Sequence, residues 1–405
     1  MFLKEGIVLK SIGKRFRTIL TLEGEISFKR SLLIPADPES KSLLEERYGL
    51  KTVAPLDMAL GIDRLPFKLS VYMMLDIAKR AINAHSYAEL QKAYSSDRDI
   101  KISDDMIRFV IDELGGIVFD YDIKMKDRAL AQFAEAEKSN LTPAKYGQGI
   151  LYIEMDGAMF NTRTTNGGSS WRENKLGVVF NSLDILYRIT KSGKEASRIL
   201  KREYISYVGD ADTFKAFVYA LAKRNGIDKC AKVVIISDGA KWIKGFKETY
   251  CQGMDVLHIL DFSHLKENIY KFSKAHIRGT KQKDIWARTM IELIYDGQIE
   301  AALEMAEPYK DKKREGIPNI YYYIINNRNS IDYPAYRAAN LFIGSGMIES
   351  GNRYVMQGRL KLPGMRWNVE SAQRLMALKC KFESDLWDKV VTPLVFSHYG
   401  LKPEI

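Results

Sequence analysis

Three carboxylates stand out by what surrounds them. Asp156 closes the run Ile150-Leu-Tyr-Ile-Glu-Met-Asp156 and precedes Gly157. Asp238 closes Lys232-Val-Val-Ile-Ile-Ser-Asp238 and precedes Gly239. Glu349 lies in the glycine-rich stretch Gly344-Ser-Gly-Met-Ile-Glu349-Ser-Gly351. An acid at the end of a buried strand points into the crevice where the sites of α/β sheets gather. Two such acids, joined by a third from a later helix, would make an all-oxygen ligand set. Hard cations such as Mg²⁺ or Mn²⁺ prefer such oxygens. Two ions about 3.5–4 Å apart can activate a water or a 3′-hydroxyl and stabilise the leaving oxygen of an in-line phosphoryl displacement. Each acid also has a plainer reading alone: Asp-Gly after a strand is a common turn, and Glu349 suits a helix start. Only the three together, in this order, point to chemistry.

The residues after Glu349 suit a polyanion. Between Arg353 and Lys381 there are seven basic residues (353, 359, 361, 366, 374, 379, 381) against one acid, Glu370, a local charge of +6. The whole chain of 405 residues carries +11, which favours nucleic acid as a partner. Arg353, Arg359, Lys361 and Arg366 are the candidate DNA contacts, and their binding would weaken with salt. Trp367 is a candidate platform for an unpaired base, or a core residue. A second basic stretch, Lys271 to Lys283, reads by default as a solvated helix face.

The elements that must position these residues can be read from periodicity. Residues 1–40 form a basic, β-rich segment with strands near 6–10, 17–21 and 25–33. Their role is either to lie along DNA or to cap the next domain. Residues 41–148 read as a helical DNA-binding or assembly domain. In it Leu69, Met73, Ile77 and Ile82 make a buried stripe, and Ser103 caps a helix that ends at Gly115-Gly116, before another over 122–139. A helix-turn-helix fits this region in outline. Asp104, Asp105, Asp112 and Glu113 on its second helix would face phosphates poorly, so an ordinary helical pair is preferred. Ser139 to Gly149 is the linker. Strands at 150–156, 175–180 and 204–208 are followed by a helix at 210–224, a strand at 232–238, a helix at 241–250 and a strand at 256–260. That order is a mixed α/β sheet layered by helices. Residues 265–340 are a helical insertion, and 391–405 a tail.

Composition removes several classes. Three widely spaced cysteines and five histidines without ligand spacing argue against a disulfide framework and a structural zinc. No apolar run is long enough for a bilayer, and the N-terminus has no signal-peptide pattern. A bacterial, cytoplasmic protein with no membrane partner is expected, nucleoid-associated when bound.

The order Asp156, Asp238, Glu349 on this strand pattern resembles the ribonuclease-H-like core of DDE transposases. Asp261-Phe-Ser-His264, after a strand and before the insertion, resembles the C/D-x-x-H signature of mutator-like transposases and their bacterial insertion-sequence relatives. Gly344-Ser-Gly-Met-Ile-Glu349, then Asn352-Arg353 and Arg359-Leu-Lys-x-x-Gly-Met-Arg-Trp367, is similar to the third-acid region of that group. The resemblance spans about 150 to 390, with a weaker extension over 45–115. It implies a catalytic core over 149–264 and 341–390. It also implies DNA strand cleavage and transfer at element ends, with Asp156, Asp238 and Glu349 holding two Mg²⁺ or Mn²⁺ ions. The partners would be double-stranded DNA and a second copy or more of the chain. Asp261 and His264 are further catalytic candidates that either touch DNA or order the site, with a capping role as the alternative. Two rival readings remain: a structure-selective nuclease on the same fold, and a catalytically silent DNA-binding descendant. Relatives often carry cysteines near the N-terminus; this chain has none there, so zinc-assisted binding by that region is not expected.

Overall fold

The structure, a computed structural model, describes residues 2–138, 147–164, 166–190, 193 and 195–402. The chain divides into two compact units, Met1–Phe119 with Asp385–Ile405, and Asp120–Ser384.

In the first unit, strands β1 (Leu9–Thr21) and β2 (Gly24–Pro35) form one antiparallel hairpin. The separate strands expected at 6–10 and 17–21 merge, because a bulge between Ser11 and Lys14 absorbs the irregular residues without ending the ladder. Arg30 Nε donates to the buried Asp57 at 2.7 Å. The expected stripe of Leu69, Met73, Ile77 and Ile82 is buried, on and beside the Val71–Ala81 helix. Ser103 accepts from Met106 N at 3.1 Å, the predicted cap. The helix it starts, Asp104–Lys138, runs on through Gly115-Gly116 instead of ending there. A helical glycine costs about 1 kcal/mol. Burial of Ile111, Leu114 and Val118 along one face is of the size that offsets this. The boundary between the units falls inside this helix. Residues 391–405, expected to trail off, contain the Thr392–His398 helix with Val395 and Phe396 buried. Of the expected linker, residues 139–146 lie outside the described residues.

The second unit is a mixed α/β assembly. Its strands are β3 (Ile150–Arg163), β4 (Ser169–Asn181), β5 (Ile185–Ile189), β6 (Glu195–Ile199), β7 (Glu203–Tyr207), β8 (Lys232–Ser237) and β9 (Val256–Leu260). Five of them form one sheet in the order β7-β4-β3-β8-β9. The β3–β4 and β4–β7 pairs are antiparallel; β3–β8 and β8–β9 are parallel. Parallel neighbours need crossovers, and the Ala211–Arg224 and Lys241–Tyr250 helices lie in those connections. The fully apolar stretch Val233 to Ile236 is buried, as a central strand covered on both faces should be. The strand and helix order is the one periodicity predicts, but β3 does not stop at Asp156: it runs on to Arg163, because its pairing with β4 continues to Ser169. The addition is β5–β6, an antiparallel hairpin that forms a sheet of its own between β4 and β7.

Beyond β9 the chain is helical from Phe262–His276 to Tyr333–Ala338. These helices bury Leu265, Ile269, Phe272, Ile294, Ile320 and Ile324 in one core with Tyr152, Phe180, Val234, Ile236 and Ile259 of the sheet. The chain then returns with the Gly346–Gly351 helix, and Ile348 joins the same core. Among the described residues no helix is long and apolar enough to cross a membrane.

Candidate active site

The parallel ladder between β3 and β8 ends at the pair Glu154–Ile236. Two residues further on along each chain stand Asp156 and Asp238. Side chains two apart share a face of a strand, so both acids continue the face that carries Tyr152, Val234 and Ile236. Adjacent strands lie about 4.8 Å apart, which makes these carboxylates neighbours. Burial pushes the Asp156 carboxyl up; the Gly157 amide, His264 and Asn352 pull against this, while the charge on Asp238 adds to it. Asp156 Oδ1 accepts from Gly157 N at 2.7 Å, and Asp238 Oδ1 from Ala240 N at 2.9 Å. Gly239 stands next in the chain at φ +85°, a conformation glycine adopts without strain, so the turn that aims Asp238 depends on that residue.

The Asp261/His264 pair occupies the end of the next strand over. Asp261 is buried and starts the Phe262–His276 helix. Its Oδ1 accepts from Ser263 N (3.0 Å) and Ser345 N (3.1 Å), and its Oδ2 from His264 Nδ1 (2.9 Å) and Ser345 Oγ (2.7 Å). Burial alone would raise its pKa, but the hydrogen bonds from His264, Ser345 and Ser263 outweigh burial and hold it below the ordinary value. His264 is pushed up to about 9, first by its bond to Asp261, against desolvation, with Asp261, Asp238 and Asp156 adding their charges. At neutral pH the imidazole is therefore a cation set among three carboxylates. Asp261 caps the Phe262–His276 helix and orients His264, whose charge acts on Asp156.

Glu349 sits on the Gly346–Gly351 helix with its side chain exposed. Among the described residues no group of three His, Cys, Asp or Glu side chains could hold a metal ion. Asp156 and Asp238 thus come together, while Glu349 does not join them in this conformation. Its helix is nevertheless fastened to the site at three points. Ser345 is bound to Asp261. Ile348 N donates to Glu154 Oε2 at 2.8 Å. Asn352 Nδ2 donates to Asp156 Oδ2. Asn352 lies three residues beyond Glu349, so the two are neighbours on the helix surface. The helix widens into a π-helical segment at Asn352–Gln357, a distortion often found at functional sites. Gly351 is required by contact: a Cβ there would stand 2.7 Å from the Tyr204 ring and 3.3 Å from Leu176.

Glu154, Ser345 and Asn352 also belong to this corner, and sequence reasoning gives none of them a role. The available signal is Glu154 itself, a charged residue inside an otherwise apolar strand. It is fully buried, and burial pushes it up to about 8, with the Ile348 and Met347 amides opposing. An unfolded glutamate loses its proton near about 4.3. The folded protein therefore holds an extra proton between the two values, and this group's stabilisation falls as pH rises through that window. Glu154→Gln keeps an acceptor for Ile348 N and removes the titration. Its melting temperature is expected to drop less than the wild type's between about pH 5 and about pH 8.5; parallel thermal melts check this, and equal drops would contradict it.

The basic run behind Glu349 is not one outward surface. Arg353, Lys361 and Arg366 are exposed. Arg359, expected among the DNA contacts, is 2% exposed, and its guanidinium lies 5.1 Å from the Trp367 ring centre. It is turned inward to hold that loop. Lys379 and Lys381 are also buried, bound to Glu383 at 2.8 Å and Asp122 at 2.5 Å. Trp367 is half-buried and bridges to β3, its N donating to Asn161 O (3.1 Å) and its O accepting from Arg163 N (2.9 Å). The edge of β3 is thus paired with β8 before Asp156 and bridged by Trp367 beyond it, and Asp156 lies between the two.

No curated protein matches the chain. The model of one family, described as Uncharacterised protein family (UPF0236), matches residues 4–381. That span covers both the sheet with its strand-end acids and the Glu349 helix, and the chain belongs to the UPF0236 family.

Proposed function

We propose that this chain is a DDE transposase with a ribonuclease-H-like core, acting on double-stranded DNA as a dimer or larger assembly. The observation that carries the reading is the juxtaposition of Asp156, on β3, and Asp238, just past the end of the neighbouring β8, with the Glu349 helix pinned to Asp156 through Asn352. The sheet, three antiparallel strands continued by two parallel ones, supports the same reading.

The residues fit a hard divalent cation. Asp156 and Asp238 are carboxylates, and the charge on Asp238 reaches the Asp156 carboxyl. Asn352 Oδ1, beside them, is a buried oxygen with no hydrogen-bond partner among the described residues. Asp156, Asp238 and Glu349 would hold Mg²⁺ or Mn²⁺, which supplies activation of the attacking oxygen and stabilisation of the leaving one. Glu349 stands three residues before Asn352, which donates to Asp156. His264 gives the carboxylates a resident positive charge, held in place by Asp261. Exposed Arg353, Lys361 and Arg366 answer DNA phosphates.

The test is to incubate the full chain with labelled duplexes carrying a free 3′-hydroxyl end, with Mg²⁺ or with a chelator. Mg²⁺-dependent joined products are expected. Cleavage without joining would move the protein to the nuclease reading, and metal-independent binding alone would sink both.

A further inference from the structure

The β5–β6 hairpin is a part of the second unit that the site above does not use. From Ile185 to Arg202 the sequence carries six basic residues against one acid, Glu195. The hairpin also turns apolar groups outward: Tyr187 is 59% and Ile189 75% exposed. A two-stranded ribbon that exposes Arg188 and Arg198 beside apolar groups is poorly explained as inert surface.

The hairpin ends in a pocket. Arg198, on β6, and Arg202, on the link to β7, line it together with Met347, Ser350 and Tyr354 from the Glu349 helix and its continuation. Met347, Ser350 and Gly351 of the helix and Tyr354 of its π-helical continuation line the pocket, while Ile348 joins the core under the sheet and Asn352 binds Asp156. The pocket is therefore the next surface round the helix from the carboxylate site. Tyr354 is 63% exposed and presents an aromatic face to solvent. Arg202 lies beside Tyr204, which also lines the pocket. Glu383 also lines the pocket, and Lys379 Nζ at 2.8 Å answers its charge. The rest of the lining brings two guanidinium groups, the Ser350 hydroxyl, the Tyr354 ring and the Met347 thioether, with Ile199, Tyr204, Gly351 and Val355 as its floor and walls.

We infer that this pocket is a subsite for an unpaired nucleotide, with its phosphate between Arg198 and Arg202 and its base on Tyr354. Guanidinium groups match phosphate oxygens in geometry as well as charge. A free aromatic plane binds a base face, which only a single strand offers. The inference rests on the transposase reading for its context: this subsite would hold an unpaired nucleotide next to the cut end, beside the Glu349 helix.

Fluorescence anisotropy of the full chain with labelled oligothymidylate of about 15 nucleotides, and with a duplex of equal length, tests it. Tyr354→Ala is expected to weaken oligothymidylate binding about tenfold, with Tyr354→Phe close to wild type and the duplex little affected. Arg198→Gln, at an exposed position, is expected to weaken it several-fold and to flatten the salt dependence by about 0.7 in log–log slope. Melting temperatures close to wild type confirm that the variants are folded. Wild-type affinity in both loss variants, no binding of the oligothymidylate by the wild type, or equal losses on duplex and single strand would each overturn it. The two readings fail separately. Mg²⁺-dependent joining with unaltered binding in these variants removes the subsite alone. Binding that depends on Tyr354 and Arg198 without joining removes the transposase reading and leaves the subsite.

Discussion

Asp156→Asn and Asp238→Asn are each expected to lower Mg²⁺-dependent strand cleavage by about 10²–10³-fold or more, while DNA affinity stays near wild type. The substitutions are close to isosteric, so the fold should survive them. An asparagine at 156 can still accept from Gly157 N, the bond Asp156 makes at 2.7 Å. Asn352 can turn its amide to present Oδ1, which has no partner among the described residues of the wild type, to the new amide group. The loss is of negative charge where the cation would sit, and a neutral amide is a weaker ligand for Mg²⁺. DNA affinity should hold because the exposed cations are separate residues, Arg353, Lys361 and Arg366. A gel assay of cleavage beside an anisotropy titration checks both halves. Full cleavage activity in either variant would remove that residue from the site.

Asp261→Ala is expected to have the largest effect on stability, about 3–5 kcal/mol. Its carboxylate accepts four hydrogen bonds, two of them from the backbone amides of Ser263 and Ser345. An alanine leaves those donors in a cavity with nothing to meet them, at about 1–3 kcal/mol each. His264 is 37% exposed and can turn to water, which keeps the total below the simple sum. The loss should appear as a clear fall in melting temperature. Ser345 would also be released, loosening the approach to the Glu349 helix, so strand cleavage should fall with stability. A melting temperature within about 1 °C of wild type would show that Asp261 does not hold this corner together.

The strands are readable because each carries a physical reason for being where it is. Val233 to Ile236 are apolar on both faces because the strand is covered on both. Asp238 marks the end of β8 by breaking an apolar run; Asp156 breaks one too, but β3 runs on past it to Arg163 against β4. The β5–β6 hairpin is not readable: its short strands expose Tyr187 and Ile189 and so lack the alternation that signals a half-buried strand. Gly115-Gly116 reads as a stop, but side-chain burial along the Asp104–Lys138 helix overrides the local cost. The basic run behind Glu349 misleads most. Charge counted along the sequence cannot see that Lys381 meets Asp122, 259 residues away, or that Arg359 folds onto Trp367. Glu154 is silent for a related reason. Its partners are backbone amides of residues 347 and 348, which have no signature in sequence.

The most direct measurement is anomalous diffraction from crystals of the full chain grown with Mn²⁺. The proposed site predicts density between Asp156 and Asp238 at about 2.0–2.2 Å from their carboxylate oxygens, with Glu349 turned in from solvent to join them. Absence of such density at saturating Mn²⁺, or density with Glu349 still in solvent, would contradict a three-carboxylate centre.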